Sequence, residues 1–187
     1  MSKPAPLTPY PATIAKIIDE TGDVRTFQMV FDDPSLNENF GQKPGQVAQI
    51  SVFGVGEATI SITSSPTRKG FLEFSVKRVG RLTSVLHQME EGDKVGIRGP
   101  YGNHFPYELL RGKDLFFIGG GIGLAPLRSL IDFVLAEENR RDYGKVEILY
   151  GARSVDDLCF KRDILERWPK CPDTVVYTTI DRADPAW

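Results

Sequence analysis

The segment Leu115–Pro126, LFFIGGGIGLAP, constrains this chain more than any other. A short apolar run ends abruptly in glycines, and helix-forming sequence follows. That is how a buried parallel strand delivers its backbone to a phosphate-binding turn. Gly119, Gly120 and Gly121 are expected to allow positive φ and close ligand approach, because no Cβ obstructs either. A helix from Pro126 to about Glu138 would point unpaired N–H groups at the turn, where a pyrophosphate fits. Taken alone, the motif also allows a tight strand–helix turn that holds no ligand.

The rest of the chain divides into two grammars. Up to about residue 106, short runs rich in Val, Ile, Phe and Thr read as strands: Thr13–Ile18, Val24–Phe31, Val47–Val52, Thr59–Thr63, Gly70–Val79 and Lys94–Arg98. Turn clusters separate them, and Leu72, Phe74 and Val76 alternate with polar neighbours at the period of a half-buried strand. Six such strands predict a closed barrel or sandwich. One helix interrupts them at Thr83–Glu90. After Gly112 the order becomes strand Asp114–Ile118, helix Pro126–Glu138, strand Val146–Tyr150, helix Asp156–Trp168 with Ser154 or Asp156 as cap, and strand Thr174–Thr179. Such βαβαβ order implies a parallel sheet. The expected fold is therefore β plus α/β. An antiparallel β-barrel domain (residues 1–108) precedes a Rossmann-like parallel α/β domain (109–187). The second domain has three strands, one mononucleotide half of a doubly wound sheet.

Composition excludes several classes. With 41% hydrophobic residues in 187, a real core is available. A net charge of −2 gives no reason to expect nucleic acid. The proline-rich N-terminus lacks a signal-peptide core, and no apolar run approaches the ~20 residues of a membrane span. Membrane insertion is not expected, and a cytoplasmic location is. Cys159 and Cys171 match no metal-ligand spacing, so no metal site is expected, and two thiolates cannot ligate a usual iron–sulfur cluster.

Two further segments carry chemistry. In Ala58–Pro66, Ser61 can hydrogen-bond a ligand edge, flanked by Ile60, Ile62 and Thr63. In Val76–Ser84, Gly80 permits close approach, Thr83 is a natural N-cap, and Arg78 or Arg81 supplies positive charge. A serine-rich strand end and a capped surface helix are the plainer readings of these two segments.

A barrel followed by an α/β domain, with GGGIGLAP at the join, resembles the ferredoxin–NADP reductase superfamily. The likeness is closest to the flavin- and NAD(P)-binding subunits of cytoplasmic hydrogenases and sulfite or sulfur reductases. The dihydroorotate dehydrogenase electron-transfer subunit is a relative. The resemblance implies FAD on the barrel, held at Ile60, Ser61, Ile62 and Thr63 and at Val76, Lys77, Arg78, Gly80, Leu82, Thr83 and Ser84. It implies NAD(P)H as substrate at Gly120, Gly121, Ile122, Gly123, Pro126, Gly151 and Arg153. Ala58 and Ile60 replace the Arg and Tyr usual in the barrel motif, and Ile122 stands where Thr is frequent. Arg153 would meet a 2′-phosphate or pair with Asp156 or Asp157, leaving coenzyme choice open. No catalytic acid or base is expected, because the cofactors carry the redox chemistry.

The family's Cys-Gly-Pro-Pro segment and the cysteines of its 2Fe–2S cluster are absent. The sequence thus reads as the N-terminal portion of a longer subunit, an excised fragment or a shortened paralogue, and a one-electron acceptor must lie on further sequence or a partner subunit of a redox complex. The implied function is a flavin-dependent oxidoreductase module moving electrons between NAD(P)H and that acceptor. A flavin-binding relay or regulatory subunit that does not process NAD(P)H is the alternative, and a cofactor-free interaction domain is a third.

Overall fold

The computed structural model describes residues 7–182. The expected behaviour of the chain around Asp181–Trp187 falls mostly outside them. Six strands form the first sheet: β1 (Tyr10–Asp19), β2 (Val24–Phe31), β3 (Val47–Val52), β4 (Gly56–Ser61), β5 (Leu72–Lys77) and β6 (Lys94–Tyr101). Their order is β4-β3-β6-β1-β2-β5, with every pairing antiparallel. The two ends of that order meet just beyond β4. There Thr63 N–H donates to the Glu73 carbonyl at 2.9 Å, and Glu73 N–H donates to Ser64 Oγ at 3.0 Å. This seam closes the sheet into a barrel. Its interior holds Ile14, Phe27, Met29, Ile50, Phe74 and Ile97, each with essentially no exposure.

Two short helices accompany the barrel. α1 (Pro34–Asn39) was not expected. Asp33 accepts from Ser35 N–H as its cap, and Pro34 occupies the first turn, where a missing N–H costs nothing. α2 spans Arg81–Leu86 rather than Thr83–Glu90, and it buries Leu86 in the barrel. Strand β6 runs on through Gly99 and Pro100 to Tyr101, where the sequence reading ended it at Arg98. Phe105 lies over Gly45, whose φ is +93°; a Cβ on Gly45 would come 2.6 Å from that ring.

The second sheet is β7 (Leu115–Gly120), β8 (Val146–Ala152) and β9 (Thr174–Ile180), parallel and in sequence order. α3 covers Leu124–Leu135, starting two residues and ending three residues earlier than expected. The expected helix Asp156–Trp168 does not form as such. A single 3₁₀ turn (Val155–Asp157) is followed by an irregular stretch. A π-helical turn (Asp163–Arg167) then runs into a 3₁₀ turn (Trp168–Lys170). Between them Phe160 takes φ +55°, an uncommon conformation for a bulky residue. Right-handed crossovers between sequential neighbours place both helical segments on one face. Leu115 and Phe117 are buried beneath them, whereas Phe116, Ile118 and Tyr177 are 59%, 64% and 47% exposed. Both edges, β7 as well as the expected β9, are free of a further strand among the described residues. The two units share packing: Val24, from the barrel, lies in the core of the α/β unit with Leu124, Tyr150 and Phe160.

Candidate functional site

The glycine loop is built by three glycines with three different duties. Gly119 is closely packed, since a Cβ there would meet Leu124 Cδ1 at 3.1 Å and that side chain would have to give way. Gly121 is needed for conformation, at φ +50°. Gly120 is needed for neither: it is extended at φ −133°, ψ 129°, and its added Cβ would meet nothing within 4 Å. The expectation of positive φ is therefore corrected for Gly119 and Gly120 and holds for Gly121 alone. The Tyr150 hydroxyl donates to the Gly121 carbonyl at 3.1 Å and accepts from Cys159 N–H at 3.0 Å, so β8 fixes the loop from below. Burial pushes the Cys159 thiol up to about 11, which keeps it protonated and unreactive at neutral pH.

Beside the loop lies a cleft of about 390 Å³ between the two units. Of the residues expected at a nucleotide site, Gly120, Gly121, Ile122, Gly151 and Arg153 line it, and Lys77 enters from the barrel side. Gly123 and Pro126 do not; Gly123 caps α3 and Pro126 lies in its first turn. Sequence reading missed Asp23 and Asp181 on the same walls and named Asp157 only as a partner for Arg153. Asp23 sits in the β1–β2 turn and Asp181 just past β9, so only the fold brings them together. Arg153 Nη2 pairs with Asp157 Oδ1 at 2.6 Å, and Lys77 Nζ with Asp23 Oδ2 at 3.2 Å. Bonds from Arg153 and Ser154 hold the Asp157 carboxyl below its ordinary value. Asp23 is also held low: partial burial is outweighed by its bonds from Thr21 and Lys77.

The two barrel segments are brought close, since β5 leads into α2, and Leu82 and Leu86 pack into the same core as Ile60 and Ile62. Their side chains split by role. Ile62, Thr63, Val76, Leu82 and Thr83 serve the barrel interior or its caps, whereas Ile60, Ser61, Ser84 and Lys77 are half-buried and Arg78 and Gly80 exposed. Thr83 is not the N-cap of α2. Gly80 is, and Thr83 reaches back from the third helical position. The Thr83 hydroxyl accepts from Val79 and Gly80 N–H and donates to the Gly80 carbonyl, so it is fully engaged in the turn. Any anion at this helix start would meet backbone N–H groups and the exposed Arg78 and Arg81 rather than that hydroxyl.

A buried ion network joins the units behind the loop. Arg128, on α3 and only 7% exposed, reaches Glu73 Oε2 at 2.6 Å and Asp163 Oδ2 at 2.7 Å. Burial works against the Asp163 carboxylate, yet bonds from Arg167 and Arg128 hold it below its ordinary range. Burial raises Glu20 above the usual carboxylate value despite bonds from Thr26 and Phe160. Among the described residues no cluster of His, Cys, Asp and Glu could hold a metal ion, and no helix is long and apolar enough to cross a membrane.

The open space in front of Gly120, Gly121 and Gly123 is what a bound pyrophosphate requires, so the loop fits a nicotinamide nucleotide. Comparison with known proteins agrees. Residues 11–107 match the oxidoreductase FAD-binding domain family, and residues 117–187 match the oxidoreductase NAD-binding domain family. The chain is 41% identical over 160 residues to the sulfhydrogenase 2 subunit gamma of Pyrococcus furiosus, covering 86% of this chain and 54% of that protein. It is 36% identical to a probable dihydroorotate dehydrogenase B (NAD(+)) electron transfer subunit from Thermococcus kodakarensis, covering 78% and 54%. The chain thus spans about half the length of these relatives. Among solved structures, the cytochrome b5 reductase domain of Ulva prolifera nitrate reductase aligns with a TM-score of 0.76 at 22% identity, covering 98% of this chain and 77% of that one. Plasmodium falciparum ferredoxin–NADP+ reductase aligns with 0.77 at 18%, covering 92% and 74%. At such identities these two show the shared fold.

Proposed function

This chain belongs to the oxidoreductases that join an FAD-binding to an NAD-binding domain, the ferredoxin–NADP reductase superfamily, and from that premise we propose that it passes electrons between NAD(P)H and a one-electron acceptor on another part of a redox complex. The observation that carries the reading is the glycine loop opening onto a cleft shared by both units. The proposal divides the chain at 108/109. FAD, when bound, supplies the change from two-electron hydride chemistry to single electrons. The protein's part is binding and orientation: Ser61 and the start of α2 for the flavin, Gly120–Ile122 for the pyrophosphate, Gly151 and Arg153 for the ribose. No acid–base group is required of it.

The partner is proposed to be another subunit or further polypeptide, because two cysteines cannot hold a cluster. The exposed Phe116, Ile118 and Tyr177 offer an apolar face for it. The named relatives are subunits of larger enzymes, which supports the same reading. A cytoplasmic location goes with it.

The test is direct. The purified chain, incubated with FAD and desalted, is expected to retain flavin absorbance that bleaches on anaerobic addition of NADH. Extraction should recover FAD and not FMN. A chain that keeps flavin but is not reduced by either nucleotide would favour the relay alternative, and one that keeps none would leave an interaction domain.

Coenzyme choice follows from the charges on the cleft. Two cations face three carboxylates, and both cations are already paired. A 2′-phosphate, carrying roughly −1.5 to −2 charge, would have to displace Asp157 from Arg153 and approach Asp181. NADH is therefore expected to bind more tightly than NADPH by about tenfold or more, since one lost charged hydrogen bond is worth about 1.5–3 kcal/mol. Asp157→Asn frees Arg153 and should narrow the gap. Equal dissociation constants for the two nucleotides in the unmodified protein would refute this.

A further inference from the structure

We propose that Arg128 is a positioning residue that locks the nucleotide loop to the flavin-bearing segments, so that the two units act as one body. The inference rests on the functional reading above and goes beyond it, because neither the glycine motif nor the barrel motifs include this residue.

The geometry is specific. Arg128 lies on α3, the helix that starts directly after the glycine loop, so its backbone continues from that loop without a break. Its guanidinium crosses to the barrel, where Nη1 donates to Glu73 Oε2 at 2.6 Å and, at 3.5 Å, to the Thr63 carbonyl. Nε donates to Asp163 Oδ2 at 2.7 Å, and the plane lies 5.1 Å from the Phe160 ring centroid. Glu73 is itself the seam of the barrel. Its backbone bonds Thr63 and Ser64, just after Ser61, and its strand leads on to Lys77 and α2. One side chain therefore touches both routes to the flavin segments.

A second tie runs alongside, with Phe160 N–H donating to Glu20 Oε2 at 2.7 Å and Thr26 donating to Glu20 Oε1 at 2.8 Å. It tethers Phe160, which sits at φ +55°. Stability alone does not account for such an arrangement. Burying ions costs several kcal/mol per charge before pairing, and apolar packing of equal volume is often as stable. Directional, planar hydrogen bonding to two carboxylates at once is what a guanidinium supplies and an apolar or ammonium side chain does not.

Arg128→Met is a fair test because neither carboxylate is stranded: Glu73 keeps Arg68 at 3.2 Å, and Asp163 keeps Arg167 at 2.8 Å. In the cofactor-free protein, calorimetry should show one unfolding transition for the wild type and two for Arg128→Met. Glu73→Gln should give a partial split, and Arg128→Lys a partial recovery. In the FAD-loaded protein, flavin content and NADH affinity should stay unchanged. The rate of anaerobic flavin reduction should fall by on the order of a hundredfold, as expected for a displacement near 1 Å. A single transition in Arg128→Met overturns the proposal, as does an uncoupled variant that is reduced at the wild-type rate. If the wild-type protein holds no flavin, the functional reading fails, while the calorimetry still decides the role of Arg128.

Discussion

Replacing Gly120 by valine is expected to weaken nucleotide binding by about a hundredfold or more while leaving the fold intact. The backbone there is extended, at φ −133° and ψ 129°, where a β-branched residue is at ease. Its Cβ would project into open space on the cleft wall and clash with no protein atom within 4 Å. Any penalty must come from something that occupies that space. A pyrophosphate held by the loop accepts charge-assisted hydrogen bonds worth about 1.5–3 kcal/mol each. Displacing it from two of them raises the NADH dissociation constant on the order of a hundredfold or more. The neighbouring Gly121→Val reads less cleanly, because φ +50° strains any valine whether or not a ligand is near. Isothermal titration on a Gly120→Val protein with an unchanged melting curve is the measurement. Wild-type affinity in that protein would show that the glycines serve only the turn.

Trp168→Ala is expected to be the most destabilising single change in the α/β unit. The indole has no exposure, and its Nε1 donates to Asp132 Oδ1 at 2.8 Å. Arg167 binds the same oxygen at 2.6 Å, and Asp132 Oδ2 has no hydrogen-bond partner among the described residues. Truncation removes the ring and one of the two bonds that make the buried carboxylate tolerable. The cost should be about 3–5 kcal/mol, a large part of the ~5–15 kcal/mol that usually holds a domain folded. Trp168→Phe keeps most of the volume and loses the hydrogen bond, so about 1–3 kcal/mol is expected. Urea denaturation followed by circular dichroism orders the three proteins. If Ala and Phe variants unfold at the wild-type midpoint, neither the buried indole nor its bond to Asp132 stabilises the unit.

The two units and the glycine loop were legible because they rest on local patterns. Alternating Leu72, Phe74 and Val76, and an apolar run broken by glycines, report strand and turn without reference to anything distant. What was not legible depended on distant partners. The βαβαβ order and a cap at Ser154 or Asp156 pointed to a helix from Asp156. The chain instead stays irregular through Phe160 because that residue's N–H reaches Glu20 on the barrel. Arg128 and Asp132 sit on α3 where periodicity would place a solvated face, yet both are buried by ion pairs that only the assembled fold supplies. Start signals were underread in one place: Asp33-Pro34 looked like a turn and opens a helix. In the flavin segments, residue types pointed to hydroxyl contacts at Thr83, whose hydroxyl the turn itself consumes.

Val24 has a consequence for how such a protein can be rearranged. It comes from the barrel's first hairpin but completes the core of the other unit, against Leu124, Tyr150 and Phe160. A boundary drawn through the connecting segment therefore divides the sequence without dividing the hydrophobic interior. The two halves are not interchangeable cassettes. A chimera that grafts this nucleotide half onto a foreign barrel inherits a hole the size of an isopropyl group, unless the donor hairpin travels with it. Changes on either side of that contact must be matched by changes on the other, which ties the history of one half to that of its neighbour.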